Sequence, residues 1–152
     1  SCAGVKIELV IRGTCCLRPG IKGVSENIHV RSVMGRFLEH PRVYYFLNNG
    51  DEEMYCSSAD WMPRNFFRRV EIAFPILDAE WRQRVRDEAF EVYLQDNTQA
   101  WVLQADGSYQ RVKRKKGELK LSAQNVLMDS LGEYTVGRGR LLSGDDGPSS
   151  LH

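Results

Sequence analysis

No stretch of this 152-residue sequence approaches the roughly 20 consecutive apolar residues that carry a helix across a bilayer. The N-terminus also lacks the basic and then apolar layout of a secretory leader. A soluble protein that is not exported is therefore expected. No Gly-x-x-x-x-Gly-Lys segment occurs, so a nucleotide bound here must be held by something other than a phosphate-cradling loop. Cysteine is sparse: Cys2, Cys15, Cys16 and Cys56 show no Cys-x-x-Cys spacing and include an adjacent pair, which argues against a zinc site and against a disulfide framework. Reduced thiols are expected. No other spacing of ligand-type residues names a metal site. A large charge of one sign is also missing, since 21 Lys and Arg face 20 Asp and Glu for a net charge of +1, and the whole molecule is no magnet for polyanions.

What is present is ordinary in bulk and uneven in detail. Apolar content of 42% with 27% charged residues fits one globular domain, expected over residues 1–142 with a frayed tail over 143–152, where Gly, Ser and Asp accumulate. The chain opens Ser-Cys-Ala-Gly and goes almost at once into a strand, which suggests a piece of a longer polypeptide. Between residues 12 and 69 stand Arg12, Arg18, Arg31, Arg36, Arg42, Arg64, Arg68 and Arg69 against the single Lys22. Arginine's planar fork suits two-pronged contacts to phosphate or carboxylate oxygens, whereas a merely solvated surface mixes in more lysine.

Periodicity predicts strands over Val5–Ile11, Ile28–Met34, Val43–Leu47, Glu53–Ser57 and Arg69–Phe74. The segment Asn48 to Asp51 reads as a hairpin turn. Gly35 to His40 has room for one helical turn, stopped by Pro41. Trp61 to Phe67 reads as a turn or short helix. Asp78 is a good N-cap for a long helix whose stripe is Trp81, Val85, Ala89, Val92 and Tyr93. Ala105-Asp-Gly107 sits between two short strands as a second hairpin turn, and Ser122–Leu131 reads as a short capped helix. Lys113 to Lys116 is a basic run of the kind that is usually a solvated loop.

The stretch Gly35 to Asn65 holds the candidate site. The hairpin carries His40 just before its first strand and Ser58 and Asp60 just after its second, so these groups should lie at one end, where side chains can converge on a ligand. Arg12 stands at the lip of the first strand, before a glycine-rich loop. Arg12 and Arg42 point the same way if their strands are neighbours. Asp60, Arg64 and Asn65 read equally as caps of the turn that follows. Of the other histidines, His152 is terminal, and His29 lies opposite Ile28 and Val30 in its strand, which suits a surface role.

With these residues in view, the chain resembles the C-terminal domain of the bacterial polyphosphate kinase family, the type that makes long chains. The likeness rests on Val10-Ile-Arg-Gly-Thr-Cys-Cys-Leu-Arg-Pro-Gly20, Gly23-Val-Ser-Glu-Asn-Ile28, Gly35-Arg-Phe-Leu-Glu-His-Pro-Arg42, Asn49-Gly-Asp-Glu-Glu53, Ser58-Ala-Asp-Trp-Met-Pro-Arg-Asn65 and Arg68-Arg-Val-Glu71. These blocks span about residues 5–77; the stretch after Asn97 carries little of the likeness. The resemblance implies an α/β (α+β) fold, a phospholipase-D-like mixed β-sheet flanked by helices. The phospholipase D pattern itself is only partly met: Arg42 replaces its lysine, Leu47 stands where its aspartate belongs, and Ser58-Ala-Asp60 approximates its last element.

The resemblance implies that Arg12 and His40 contact the phosphates of ATP, with Arg42 assisting and Ser58, Asp60, Arg64 and Asn65 in support. The complete enzyme would pass the ATP γ-phosphate reversibly to a histidine in a domain absent here, and then to polyphosphate. ATP, ADP and polyphosphate are the implied small partners, with Mg²⁺ held by the missing domains and those domains as the protein partner. A homo-oligomer in the cytoplasm, at most peripheral to the inner membrane face, is expected, with no specific nucleic acid bound. The chain alone is expected to be inactive. Two other classes stay open: a polyanion-binding module without chemistry, and a phosphodiesterase that pairs two copies of His40.

Overall fold

A computed structural model describes residues 1–13 and 15–142; the expected tail over 143–152 lies outside the described residues. Its strands are β1 (Ile7–Val10), β2 (Ile28–Val33), β3 (Val43–Phe46), β4 (Glu53–Ser57), β5 (Ala73–Pro75), β6 (Ala100–Leu103) and β7 (Tyr109–Arg111). The helices are α1 (Pro63–Arg68), α2 (Ala79–Arg86), α3 (Val92–Gln95) and α4 (Ala123–Leu142), and a π-helical turn at Asp87–Glu91 joins α2 to α3. The fold is α+β, and its strands divide between two sheets. One is four-stranded and mixed in the order β1-β2-β6-β7, with β1 and β2 parallel; the other is the antiparallel meander β3-β4-β5.

Local chemistry accounts for the turns. Asn48 and Asn49 adopt φ of 42° and 56° and Gly50 one of 98°, backbone conformations that Asn tolerates and Gly adopts freely. They close the β3–β4 hairpin in the register Val43 opposite Cys56 and Phe46 opposite Glu53. Asp78 caps α2 by accepting from the Trp81 amide at 3.0 Å, as its place before the helix predicts. Between β6 and β7, the Asp106 carboxylate accepts from Ser108 N at 2.8 Å.

Several expectations are corrected. Residues 35–37 form a bend and 38–41 have no regular structure, so the expected helical turn is not there. The strand expected from Arg69 shrinks to Ala73–Pro75: the Ile72 carbonyl still accepts from Ser58 N at 3.0 Å, but its amide turns to the Ser58 hydroxyl and the ladder ends there. α4 runs on past Leu131 to Leu142, and its first turn is capped from outside, the Asp96 carboxylate accepting from Ala123 N at 2.8 Å. Trp81 is not covered; it is 53% exposed beneath the Arg84 guanidinium.

The helical layer meets the sheets at their junction. Ala89, Phe90 and Tyr93 line a small cavity with Val10 and Val33 from the mixed sheet and Val43 from the meander. The buried apolar side chains Val30, Met54, Ala59, Tyr93, Ala100, Leu103 and Ala123 come from both sheets, α3, α4 and the turn after β4. Arg31 reaches from β2 to the carbonyls of Tyr93, Leu94 and Asp96, placing a cation at the carbonyl end of α3. Asp96, 1% exposed, accepts from the amides of Thr98, Gln99 and Ala100 as well as Ala123. One buried carboxylate thus ties the end of α3, the start of β6 and the start of α4 together.

Candidate phosphate-binding site

Arg12 lies two residues beyond β1, where Ile11 N still pairs with Arg31 O at 2.8 Å. Its Nη1 donates to the Glu39 carbonyl at 2.8 Å, and its Nη2 stands 3.8 Å from Asp60 Oδ1. Arg42 precedes β3, and the hairpin register holds it because Ser57 N donates to its carbonyl at 2.9 Å. From there Arg42 grips one oxygen of Asp60 twice, through Nε at 2.9 Å and Nη2 at 2.7 Å. Arg64, at the N-terminal end of α1, approaches the other oxygen at 3.8 Å. Arg12 and Arg42 therefore converge although their strands are not neighbours and belong to different sheets; Asp60 is what draws them together.

Three guanidiniums around one carboxylate leave an excess of positive charge. The hydrogen bond from Arg42 holds the Asp60 carboxyl below the usual carboxylate range, and the charges of Arg42, Arg12 and Arg64 add to the effect. Asp60 is no helix cap: the residue at the start of α1 is Met62, with no capping side-chain bond. His40 packs on the same group. Arg42 Nη1 lies 2.7 Å from His40 Nδ1 and 3.0 Å from its carbonyl, and Nη2 is 3.4 Å from Nε2. The two ring nitrogens point their in-plane orbitals apart, so one guanidinium bonds only one of them well. With Nδ1 accepting, the tautomer carries its proton on Nε2 and keeps a donor.

Ser58 and Asn65 are placed elsewhere. Ser58 Oγ donates to Glu71 Oε2 and accepts from Ile72 N at 3.1 Å, while Asn65 Nδ2 donates to Glu71 Oε1 at 2.7 Å. Those two donors hold the Glu71 carboxyl below its ordinary value. Ser58 thus turns away from His40, and Asn65, 3% exposed, faces the interior with its Oδ1 unpartnered. Glu71, which the sequence did not single out, is the residue that draws Ser58 and Asn65 away from the cluster. Leu47 is 59% exposed and adds nothing to the cluster.

Among the described residues no group of three or more His, Cys, Asp or Glu side chains is placed to hold a metal ion. The carboxylate at the centre of the cluster does not suit Mg²⁺, because guanidiniums face both of its oxygens. All four cysteines are free thiols, and no described helix is long and apolar enough to cross a membrane.

Comparison with known proteins gives the family and the fold. The family model described as polyphosphate kinase C-terminal domain 2 matches residues 1–124. A polyphosphate kinase of Pseudomonas aeruginosa is 61% identical over 129 residues, covering 85% of this chain and 19% of that protein. One from Neisseria meningitidis serogroup B is 55% identical over 132 residues, covering 87% of this chain and 19% of its own length. The crystal structure of polyphosphate kinase from Porphyromonas gingivalis superposes with a TM-score of 0.81 at 36% identity, over 90% of this chain and 20% of that one. The fold is accordingly phospholipase-D-like, and the chain spans about a fifth of the length of the relatives it matches. It belongs to the polyphosphate kinase C-terminal domain 2 family.

Proposed function

We propose that this chain forms one wall of the phosphate-handling cleft of a polyphosphate kinase. The complete enzyme moves the γ-phosphate of ATP reversibly to a histidine outside this chain and on to polyphosphate. The observation that carries the reading is the convergence of Arg12, Arg42 and His40 on one surface organised by Asp60. Phosphoryl transfer asks a protein chiefly to position the reactants and to set cations around spreading negative charge. Arg12 serves as the clamp on phosphate oxygens, with Arg42 holding the frame. His40 serves as a hydrogen-bond donor to a phosphate oxygen, since a departing diphosphate is weakly basic and needs little general acid. Any Mg²⁺ is held by residues beyond this chain.

The test is synthesis by the complete enzyme carrying Arg12→Ala or His40→Ala. Each variant is expected to lose synthesis while its circular dichroism and thermal unfolding stay near wild type. Wild-type rates in both would remove the basis of the reading.

A further inference from the structure

Glu39, next to His40, is gripped at both carboxylate oxygens. Tyr93 OH donates to Oε2 at 2.6 Å and Gln124 Nε2 donates to Oε1 at 2.6 Å. Gln124 also brackets Phe37, accepting from its amide at 3.0 Å and donating to its carbonyl at 2.8 Å. Both partners are interior groups, Tyr93 being 5% and Gln124 4% exposed. At the other end of the loop Gly35 packs so tightly on Gln99 and Gln124 that a Cβ would collide with the Oε1 atoms of both. The loop has no regular structure of its own, so these contacts are what fix it. The loop's outer edge carries the chemistry: the Glu39 carbonyl takes the Arg12 guanidinium, and His40 follows it in sequence.

We propose that Tyr93 and Gln124 are positioning residues, which act through Glu39 to hold Arg12 and His40 in the geometry that receives phosphate. This rests on the role proposed above for Arg12 and His40. Neither residue reaches the cluster itself. Each removes a degree of freedom from the loop that carries it, so that the cations need no rearrangement when charge develops. Burial and the adjacent Glu39 carboxylate push the Tyr93 phenol well above its ordinary value, which keeps the hydroxyl a donor across the working pH range. Gln124, as an amide, donates and accepts at once, and the loop uses both capacities.

The experiment measures kcat and KM for ATP in the complete enzyme with Tyr93→Phe, Gln124→Glu, the pair Glu39→Gln with Gln124→Glu, and His40→Ala. Tyr93→Phe removes one hydroxyl and keeps the ring; kcat is expected to fall by roughly tenfold or more, with a much smaller change in KM and thermal unfolding within a few degrees of wild type. Gln124→Glu sets two carboxylates against each other and is expected to cost more. The exchanged pair restores a donor and an acceptor between positions 39 and 124 but leaves the Phe37 carbonyl without the donor it has in Gln124, so kcat is expected to rise above that of Gln124→Glu and stay below wild type. Wild-type kcat per folded enzyme in Tyr93→Phe and Gln124→Glu, alongside an inactive His40→Ala, would overturn the positioning role alone. An active His40→Ala would overturn both this inference and the reading beneath it.

Discussion

Arg42 and Asp60, eighteen positions apart, are joined at a single carboxylate oxygen by a hydrogen bond from Nε at 2.9 Å and an ion-pair contact from Nη2 at 2.7 Å. The pair closes the end of the β3–β4 hairpin, and the same oxygen faces Arg12 across the gap between the two sheets. Asp60 thereby sets how far apart the cations stand, and the cluster keeps more positive charge than it neutralises. A single carboxylate among several guanidiniums suits a surface that holds its arginines still and still attracts an anion.

Replacement of that carboxylate should disperse the cluster. Asp60→Ala in the complete enzyme is expected to lower kcat/KM for ATP by roughly tenfold or more, since reacting groups lose their fixed geometry. Asp60→Asn, which keeps an acceptor oxygen without the charge, is expected to fall between Ala and wild type. Steady-state kinetics on both variants check the order.

The acid limb of stability should carry the same signature. The Asp60 carboxyl lies below its ordinary value of 3.8 in the folded protein, so the folded state favours the ionised form. Its contribution is full above that ordinary value and is lost as pH falls through the depressed one. Thermal unfolding of wild type and Asp60→Asn, followed from neutral to strongly acid pH, is expected to show a gap that closes only at the acid end. A gap that grows on acidification would contradict the assignment.

Gly35→Ala should strike the loop from behind. Its Cβ would meet the Gln99 and Gln124 side chains, and Gln124 cannot swing aside without releasing Phe37 and Glu39. A destabilisation of about 1–3 kcal/mol, the usual cost of overpacking, is expected in denaturant melts, together with a lowered kcat in the complete enzyme.

Asp96→Ala should be among the most damaging single changes to the fold. It leaves four backbone amides without their acceptor, in a setting where one unsatisfied buried donor already costs about 1–3 kcal/mol. Loss of cooperative unfolding, or a melting point far below wild type, is the expected readout.

Ligand titrations of the chain alone separate the two binding readings. At moderate salt, tryptophan fluorescence is expected to report weak binding of ATP and polyphosphate, because the other walls of the cleft are contributed elsewhere. Affinity for polyphosphate and nucleic acid alike, falling steeply with salt, would favour a module that grips polyanions by counterion release. Tight, salt-insensitive nucleotide binding would contradict the account of the chain as one wall of a larger cleft.

The locally encoded parts of this structure were legible in the sequence. The Asn-Asn-Gly turn, the Asp78 cap and the Asp106-Gly107 hairpin each depend on a few adjacent residues whose backbone preferences decide the outcome. Long-range pairings were less so. Arg12 and Arg42 converge without sharing a sheet, because a third residue, Asp60, attracts both, and Asp60 looks from sequence like an ordinary capping residue. Ser58 shared the hairpin end with His40, yet Glu71 competes for its hydroxyl and wins. Gln124 contacts the site loop from 85 and 87 positions away, a distance that no periodicity bridges. α4 passes through Gly132, a residue that weakens helices and reads as a stop.

The most direct measurement is a crystal structure of the complete enzyme with a non-hydrolysable ATP analogue, read for the distances from its phosphate oxygens to Arg12 and to His40. The account predicts oxygens within about 3 Å of the Arg12 guanidinium and of His40 Nε2 at once, with the Arg42–Asp60 pair intact behind them. Phosphates seated elsewhere, with Arg12 and His40 turned to solvent or to separate surfaces, would contradict it.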